Sequence, residues 1–368
     1  MSRTVELDGR RALAWRLDRH GLGDAGASDP VDVVRRVVAL RGWPAERAEL
    51  SVGARSSVPA AGALEQTLGG DDLVLAYAFR GGSYVMEART ARTLLTVRRT
   101  TRVWETPRYQ RQASFELDDW GDLRAAVGEL LTAGPATREE IAAHLGRSPS
   151  LAHLARAAGG LGADALYKPL HWWGDIVFGP PRDGRSTFRL APGRDPGRIE
   201  QATDEAGVAA VVLYLAAYAP ATEANLLYWL GEGLSAPRRR VLDWLRSADA
   251  VRVGVDGRDA WALGADLEAI LGARASDVVR LLPGHDPWVL GPGTADDRIV
   301  PPHHRAEVSR GSDLVVRGGV VVGTWRTRGS EVSVAWFGGA DAATRRELES
   351  ELARVGVVRG RELALADG

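Results

Sequence analysis

Two stretches of this chain, 85 residues apart, repeat one another at identical spacing, and that duplication limits the possible folds more than any other feature. Pro135-Ala136-Thr137 leads into Ile141, Leu145 and Gly146, and Pro220-Ala221-Thr222 leads into Leu226, Leu230 and Gly231. In each copy the Thr is placed as an N-cap, its hydroxyl accepting a free backbone N–H at a helix start. The apolar residues then share one face of a short helix, and the Gly suits a left-handed exit. A second helix is expected over 147–158 in the first copy and over 234–248 in the next, each followed by a β-hairpin. The first hairpin is expected as 171–178, a tip over 180–185, and 186–190. The second is 251–255 and 258–263, joined by Asp256-Gly257, a pair favoured in type I′ turns. Helix, helix, basic helix, hairpin is the order of a winged helix-turn-helix, and two copies in register predict tandem units of that kind.

At 368 residues and 45% hydrophobic, the chain can form two to four compact units with ordinary cores. No apolar run reaches the length of a membrane span, and the opening MSRTVELDGRR lacks a signal peptide's hydrophobic segment, so a cytoplasmic location is expected. The absence of cysteine excludes disulfides, thiolate nucleophiles and cysteine-ligated zinc. Histidines are scattered apart from His303-His304, and no Gly-x-Gly sits between a strand and a helix, so neither a metal nor a cofactor is expected.

The net charge of −1 argues against indiscriminate polyanion binding, yet the cations are unevenly placed. Lys168 is the only lysine, which a GC-rich genome produces without selection on function. Between Arg89 and Gln112 stand seven arginines (Arg89, Arg92, Arg98, Arg99, Arg102, Arg108, Arg111) against one acid, Glu105, with Trp104 and Tyr109 among them. Such a mixture can hold phosphates and stack on bases. It can equally be a solvated helix face with its aromatics in the core.

The reading gives an α+β chain in four regions: a divergent winged-helix region at 1–118, winged helices at 119–192 and 200–264, and a C-terminal β-domain with a final helix at 275–368. In the first, helices are expected over 8–20 and over 30–40, the latter capped by Asp29. Strands over 72–79 and 83–87 complete the unit. The last region reads as strands over 313–316, 320–325 and 331–337, then a helix over 342–355.

Several runs resemble signature stretches of the AlkZ/YcaQ-like winged-helix proteins: LLPGHDPWVLG at 281–291, VVVGTWR at 320–326, IVFGPPR at 176–182, and both Pro-Ala-Thr openings. The resemblance covers nearly the whole chain in order. It implies three tandem winged helices and a C-terminal β-domain around a concave surface for double-stranded DNA, and DNA glycosylase activity on alkylated purines or interstrand crosslinks. It also implies a catalytic Gln-x-Gln or Gln-x-Asp before a segment ending in Gly-x-Arg, here Gly53-Ala54-Arg55. Arg41-Gly42-Trp43 stands where that motif belongs, and Gly82-Ser83-Tyr84 where the family has Thr-x-His after Arg-Gly. Trp cannot activate water, and an Arg opposes the positive charge developing on the sugar. Glu46 and Glu49 are substitute carboxylates on the same segment, or an exposed helix face. Gln110-Arg111-Gln112 would aim both amides at one side if extended, but lies some seventy residues away, and coincidence is the better reading. Asp286 is expected to cap or brace the turn into the β-domain.

Two classes of function follow. One is a duplex DNA-binding protein that recognises alkylated or distorted DNA with the motif replaced, or a winged-helix transcription regulator. The other is an active glycosylase with a substitute catalytic residue. The DNA contacts expected are Arg98, Arg99 and Arg102, Arg182 and Arg185 at the first hairpin tip, and Arg238, Arg239 and Arg240 opening a helix. Trp43 joins them if the family geometry holds. Its residue type alone favours the core. A monomer is the favoured state.

Overall fold

The computed structural model describes residues 5–160, 162–194 and 203–366, in which helices and sheets are mixed along the chain. Asp195, Pro196 and Gly197 of the turn-rich segment between the two repeats lie outside the described residues.

Both repeats fold alike at their openings. Thr137 Oγ1 accepts from Glu140 N (3.3 Å), and Glu140 returns a carboxylate oxygen to Thr137 N (2.8 Å), which closes a capping box on the helix Arg138–Leu145. Thr222 and Asn225 make the same reciprocal pair at 3.2 and 2.9 Å. The residue before each Thr pairs with the last strand of its own hairpin, Ala136 with Phe188 and Ala221 with Trp261. Asp183-Gly184 and Asp256-Gly257 form the hairpin tips with positive φ at both residues, the conformation a type I′ turn requires.

The helix ends depart from expectation. Gly146 leaves its helix at φ −62°, and Gly231 lies inside the π-helical stretch Leu227–Gly233, so neither makes a left-handed exit. The expected single helix at 147–158 is a turn followed by Ala152–Leu154 and Ala155–Gly159. A further helix, Asp164–Trp172, precedes the hairpin and takes His171, which the sequence reading gave to the first strand. That strand is Ile176–Arg182, and its partner is Arg185–Leu190. In the second copy the helix is Arg238–Ser247 and the hairpin strands are Ala250–Val255 and Arg258–Leu263.

The N-terminal region shows the same element order: helix Pro30–Val37, strand Leu40–Arg41, helices Ala45–Gly53 and Ala63–Leu68, then strands Leu73–Tyr77 and Ser83–Glu87. Asp29 caps the first of these helices, accepting from Asp32 N, and the helix stops at Val37 because Val38 turns to φ 67°. Leu75 pairs with Phe178, which fuses this region and the first repeat into one six-stranded sheet. At the other end, Val5–Leu7 lies parallel to Val253–Val255, so the chain's start completes the sheet of the second repeat.

The C-terminal region is a five-stranded sheet: Val279–Leu282, Asp313–Arg317, Val320–Arg328, Glu331–Trp336 and Ala364–Leu365. Its first and last strands were not foreseen. Leu348, Leu352 and Val355 of the helix Ala342–Arg359 pack with Leu281, Val315 and Trp325, and Leu50 of the Ala45–Gly53 helix joins them. One large core runs from Leu94 through Leu123, Phe188 and Tyr214 to Val241. Full burial of each such leucine or phenylalanine contributes about 1.5–3 kcal/mol relative to exposure.

Candidate nucleic-acid interface

The segment where the catalytic glutamines were expected leaves the sheet at Arg41. Leu40 is fully buried opposite Val85, which fixes Arg41 opposite Tyr84 on the next strand. Gly42 N donates to Ser83 O at 2.9 Å, and a Cβ at Gly42 would lie 2.2 Å from Leu75 Cδ1, so any larger residue there would have to displace that leucine methyl. Arg41 Nε donates to Trp43 O at 3.1 Å and closes a short loop. The loop turns Trp43 outward, with 69% of its surface exposed. The core position that residue type favoured is therefore wrong. No side chain caps the following helix, whose N-cap is Pro44.

Arg41 and Tyr84, 43 residues apart in sequence, are thus cross-strand neighbours. Tyr84 is 7% exposed and packs on Phe79. Burial pushes its hydroxyl above the ordinary phenol range, while Arg41 and Arg80 pull it back. Arg80 sits in the turn between the strands at φ 49°. Its guanidinium lies 4.1 Å from the centre of the Tyr228 ring and donates to Tyr228 O at 3.1 Å. Arg80 and Tyr228 were not singled out from the sequence. The Arg80-Gly81-Gly82 turn was legible, but not what it touches.

The carboxylates nearby are engaged. Glu46 reaches Arg359 at 3.4 Å with most of its side chain exposed. Glu49 accepts from Leu64 N and Glu65 N at 3.2 and 2.8 Å, supplying the N-terminal cap of the helix Ala63–Leu68. Asp313 accepts from Gly284 N at 2.7 Å and pairs with Arg47 at 3.3 Å, and burial raises its carboxyl above the usual range. His285 beside it adopts φ 62°, and burial together with Arg41 and Arg47 holds its imidazole below the ordinary value, hence neutral at pH 7.

Behind the loop, two signature stretches lock together. Arg55 donates to Asp286 through both terminal nitrogens (2.9 and 2.6 Å), and Ser51 Oγ donates to the same carboxylate at 2.7 Å. The Asp286 carboxylate also accepts from Trp288 N, capping the short helix Pro287–Leu290. Both charged side chains are fully buried. Such a bidentate pair is the arrangement that tolerates burial, although Arg55 Nε itself has no partner. Asp286 is thus the brace that the sequence suggested.

The expected arginines fall into different environments. Arg98 is buried with its guanidinium 4.3 Å from the Trp172 ring centre, which takes it off the surface. Trp104 is likewise core, packed on Trp172 and Trp173, so the aromatics of the basic stretch do not form a stacking platform there. Arg99 ends the helix Ala88–Arg99 half-buried, and Arg102 is exposed and paired with Glu105 at 2.7 Å. Arg182 pairs with Glu140, and Arg185 across the tip is exposed. Arg238 and Arg239 project from the start of their helix, whereas Arg240 bonds Asp204 at 2.7 Å. Gln110 and Gln112 lie in the helix Pro107–Ala113, where residues two apart face different sides, and Gln110 donates to Glu105 O.

A family model described as DNA glycosylase AlkZ-like matches residues 34–357. An interstrand DNA cross-link repair glycosylase of Streptomyces sahachiroi is 29% identical over 362 residues, spanning 95% of this chain and 96% of that protein. The solved structure of Streptomyces sahachiroi DNA glycosylase AlkZ is similar at a TM-score of 0.90 and 27% identity, covering 98% of this chain and 100% of that one.

Proposed function

The chain belongs to the AlkZ-like DNA glycosylase family, and from that premise we propose that it is a monomeric, cytoplasmic protein that binds alkylated or distorted double-stranded DNA without the family's glutamine chemistry. The observation that carries this reading is the Arg41-Gly42-Trp43 loop. It offers a cation and an exposed indole where water would have to be activated, while Glu46 and Glu49 are held by Arg359 and by a helix N-terminus. Trp43 is the group that stacks on or wedges beside a base, which requires no acid–base partner.

The units we propose are three tandem winged helices, at 1–118, 119–192 and 200–264, with a C-terminal β-domain at 275–368. What supports three is the shared order of helix, short extended segment, further helical segments and hairpin, with the extended segment beside the last hairpin strand each time. Arginines at the hairpin tip (Arg182, Arg185), at the helix start (Arg238, Arg239, Arg240) and at and just beyond the end of the Ala88–Arg99 helix (Arg99, Arg102) make the phosphate contacts.

Duplex affinity is then expected to fall by about a thousandfold or more between 50 and 200 mM salt if about six phosphates are engaged. The deciding experiment incubates the protein with N7-alkylated and with crosslinked duplex and measures abasic sites and unhooking beside salt-dependent binding. Salt-sensitive binding with excision slowed by about 10² to 10⁴ relative to a Gln-motif relative is the expected outcome. Rapid excision abolished by Glu46→Gln or Glu49→Gln would make the protein an active glycosylase with a substitute carboxylate. No duplex binding at low salt would end the DNA reading.

A further inference from the structure

We propose that Arg41, Arg80 and the Tyr84 hydroxyl together bind one backbone phosphate of a DNA strand, a phosphate cradle built where the family's catalytic centre is expected. The inference rests on the duplex-binding reading above and goes beyond it by giving this site a ligand group.

The geometry begins with strand register. Arg41 and Tyr84 are paired across two strands, and Arg80 comes from the turn just before Ser83, so all three converge on one cavity. Its other walls are apolar rings and backbone, among them Phe79, Tyr218 and Trp229. The cavity measures about 10 Å³, room for roughly one water-sized group. A flipped base is excluded on size. A single ligand oxygen is not.

Charge decides which oxygen. Arg47, Arg55 and Arg359 in this neighbourhood each have a carboxylate partner. Arg41 and Arg80 have none among the described residues: Arg41 bonds the Trp43 carbonyl and Arg80 the Tyr228 carbonyl. Two guanidiniums that line one cavity with the Tyr84 hydroxyl and both act on it attract an anion, and their planar forks match phosphate oxygens. Arg80 is also pre-organised. Its left-handed backbone and its stacking on Tyr228 fix the guanidinium before any ligand arrives, which lowers the entropy lost on binding. Tyr84 keeps its proton in this buried setting and is a donor to the phosphate. The same two cations that would oppose an oxocarbenium-like sugar thus favour its phosphate neighbour.

The test is a methylphosphonate scan, in which each phosphate of a duplex is made neutral in turn and affinity is measured for the unmodified protein, Arg41→Gln, Arg80→Gln and Tyr84→Phe. One position, or two adjacent ones, is expected to weaken the unmodified protein about tenfold and to leave the Arg41→Gln, Arg80→Gln double variant unaffected. Each single Arg→Gln change is expected to lower the slope of log affinity against log salt by about one, with Arg41→Lys retaining it. Tyr84→Phe should weaken binding several-fold at an unchanged melting temperature. An identical scan and slope in the variants and the unmodified protein would overturn the cradle while leaving duplex binding intact. Absence of duplex binding by the unmodified protein would fell the underlying reading as well. A nicked duplex with a 5′-phosphate that binds far tighter than its 5′-hydroxyl counterpart, in an Arg41-dependent way, would replace the internal phosphodiester by a strand-end monoester.

Discussion

The short extended segment after the first helix of each of the three similar regions ends in two different ways. In the repeats it passes straight into a helix that caps itself, through Thr137 with Glu140 and Thr222 with Asn225. In the N-terminal region Arg41, Gly42 and Trp43 intervene, and the helix Ala45–Gly53 begins without a side-chain cap. That helix is held from its far end instead, by Ser51 and Arg55 on the buried Asp286. A fold keeps a locally poor junction where something other than stability is served, and the exposed Trp43 marks which junction that is.

The largest expected effect is on that external clamp. Asp286→Ala leaves the Arg55 guanidinium buried and unpaired, and is expected to cost about 3–5 kcal/mol in chemical denaturation. A loss below about 1 kcal/mol would mean that the N-terminal helix does not depend on it, and the contrast with the self-capped helices would fail.

Next comes pH. His171 lies buried among Tyr77, Phe178 and Phe188, with Asp164, Arg138 and Lys168 as the charged groups acting on it, and burial depresses its imidazole to about 3. The unfolded chain takes up a proton near pH 6.5 and the folded one does not. Its contribution is therefore fully present above about pH 6.5 and lost as the pH falls toward about 3, with a slope of about 1.4 kcal/mol per pH unit. His20, also buried and held well below the ordinary value mainly by burial, acts in the same direction. Stability measured from pH 7 to 5 should decline, and His171→Phe should flatten the decline. An equally steep decline in the variant would assign it to other groups.

The repeats give the cleanest test of equivalence. Thr137→Ala and Thr222→Ala should each cost about 1 kcal/mol by urea unfolding, and should cost the same within a few tenths. Unequal losses would show that the sequence repeat is not an energetic one.

The smallest effect on stability belongs to Trp43. Trp43→Ala is expected to change unfolding by no more than about 0.5 kcal/mol while weakening duplex affinity by the equivalent of about 1–3 kcal/mol. A loss of the 3–5 kcal/mol typical of a core ring would remove it from the interface.

Much of this contrast was legible without coordinates. A capping Thr and an Asp-Gly pair act over a few residues, so the caps at Thr137 and Thr222 and the tip at 256–257 followed from spacing and residue type, and the first tip fell within the expected 180–185. Helix continuity was legible but missed: Pro149 follows Gly146 inside the segment expected as one helix and removes a backbone N–H there, whereas the intact helix Arg238–Ser247 contains neither proline nor glycine. The basic stretch misled because an arginine's long stem lets Arg98 lie against Trp172 in the interior as readily as in solvent.

What the sequence by itself determined was the duplicated opening and the hairpin turns, both consequences of residues acting on near neighbours. Tertiary structure alone decided that Arg41 faces Tyr84, that Arg55 finds Asp286 across 231 residues, that Val5–Leu7 completes the sheet begun at Ala250, and that Trp43 is left outside. Strand register and burial depend on which surfaces meet. Residues hundreds apart carry no local signal of their partner, since hydrophobic burial is non-directional and rewards any surface that closes over them.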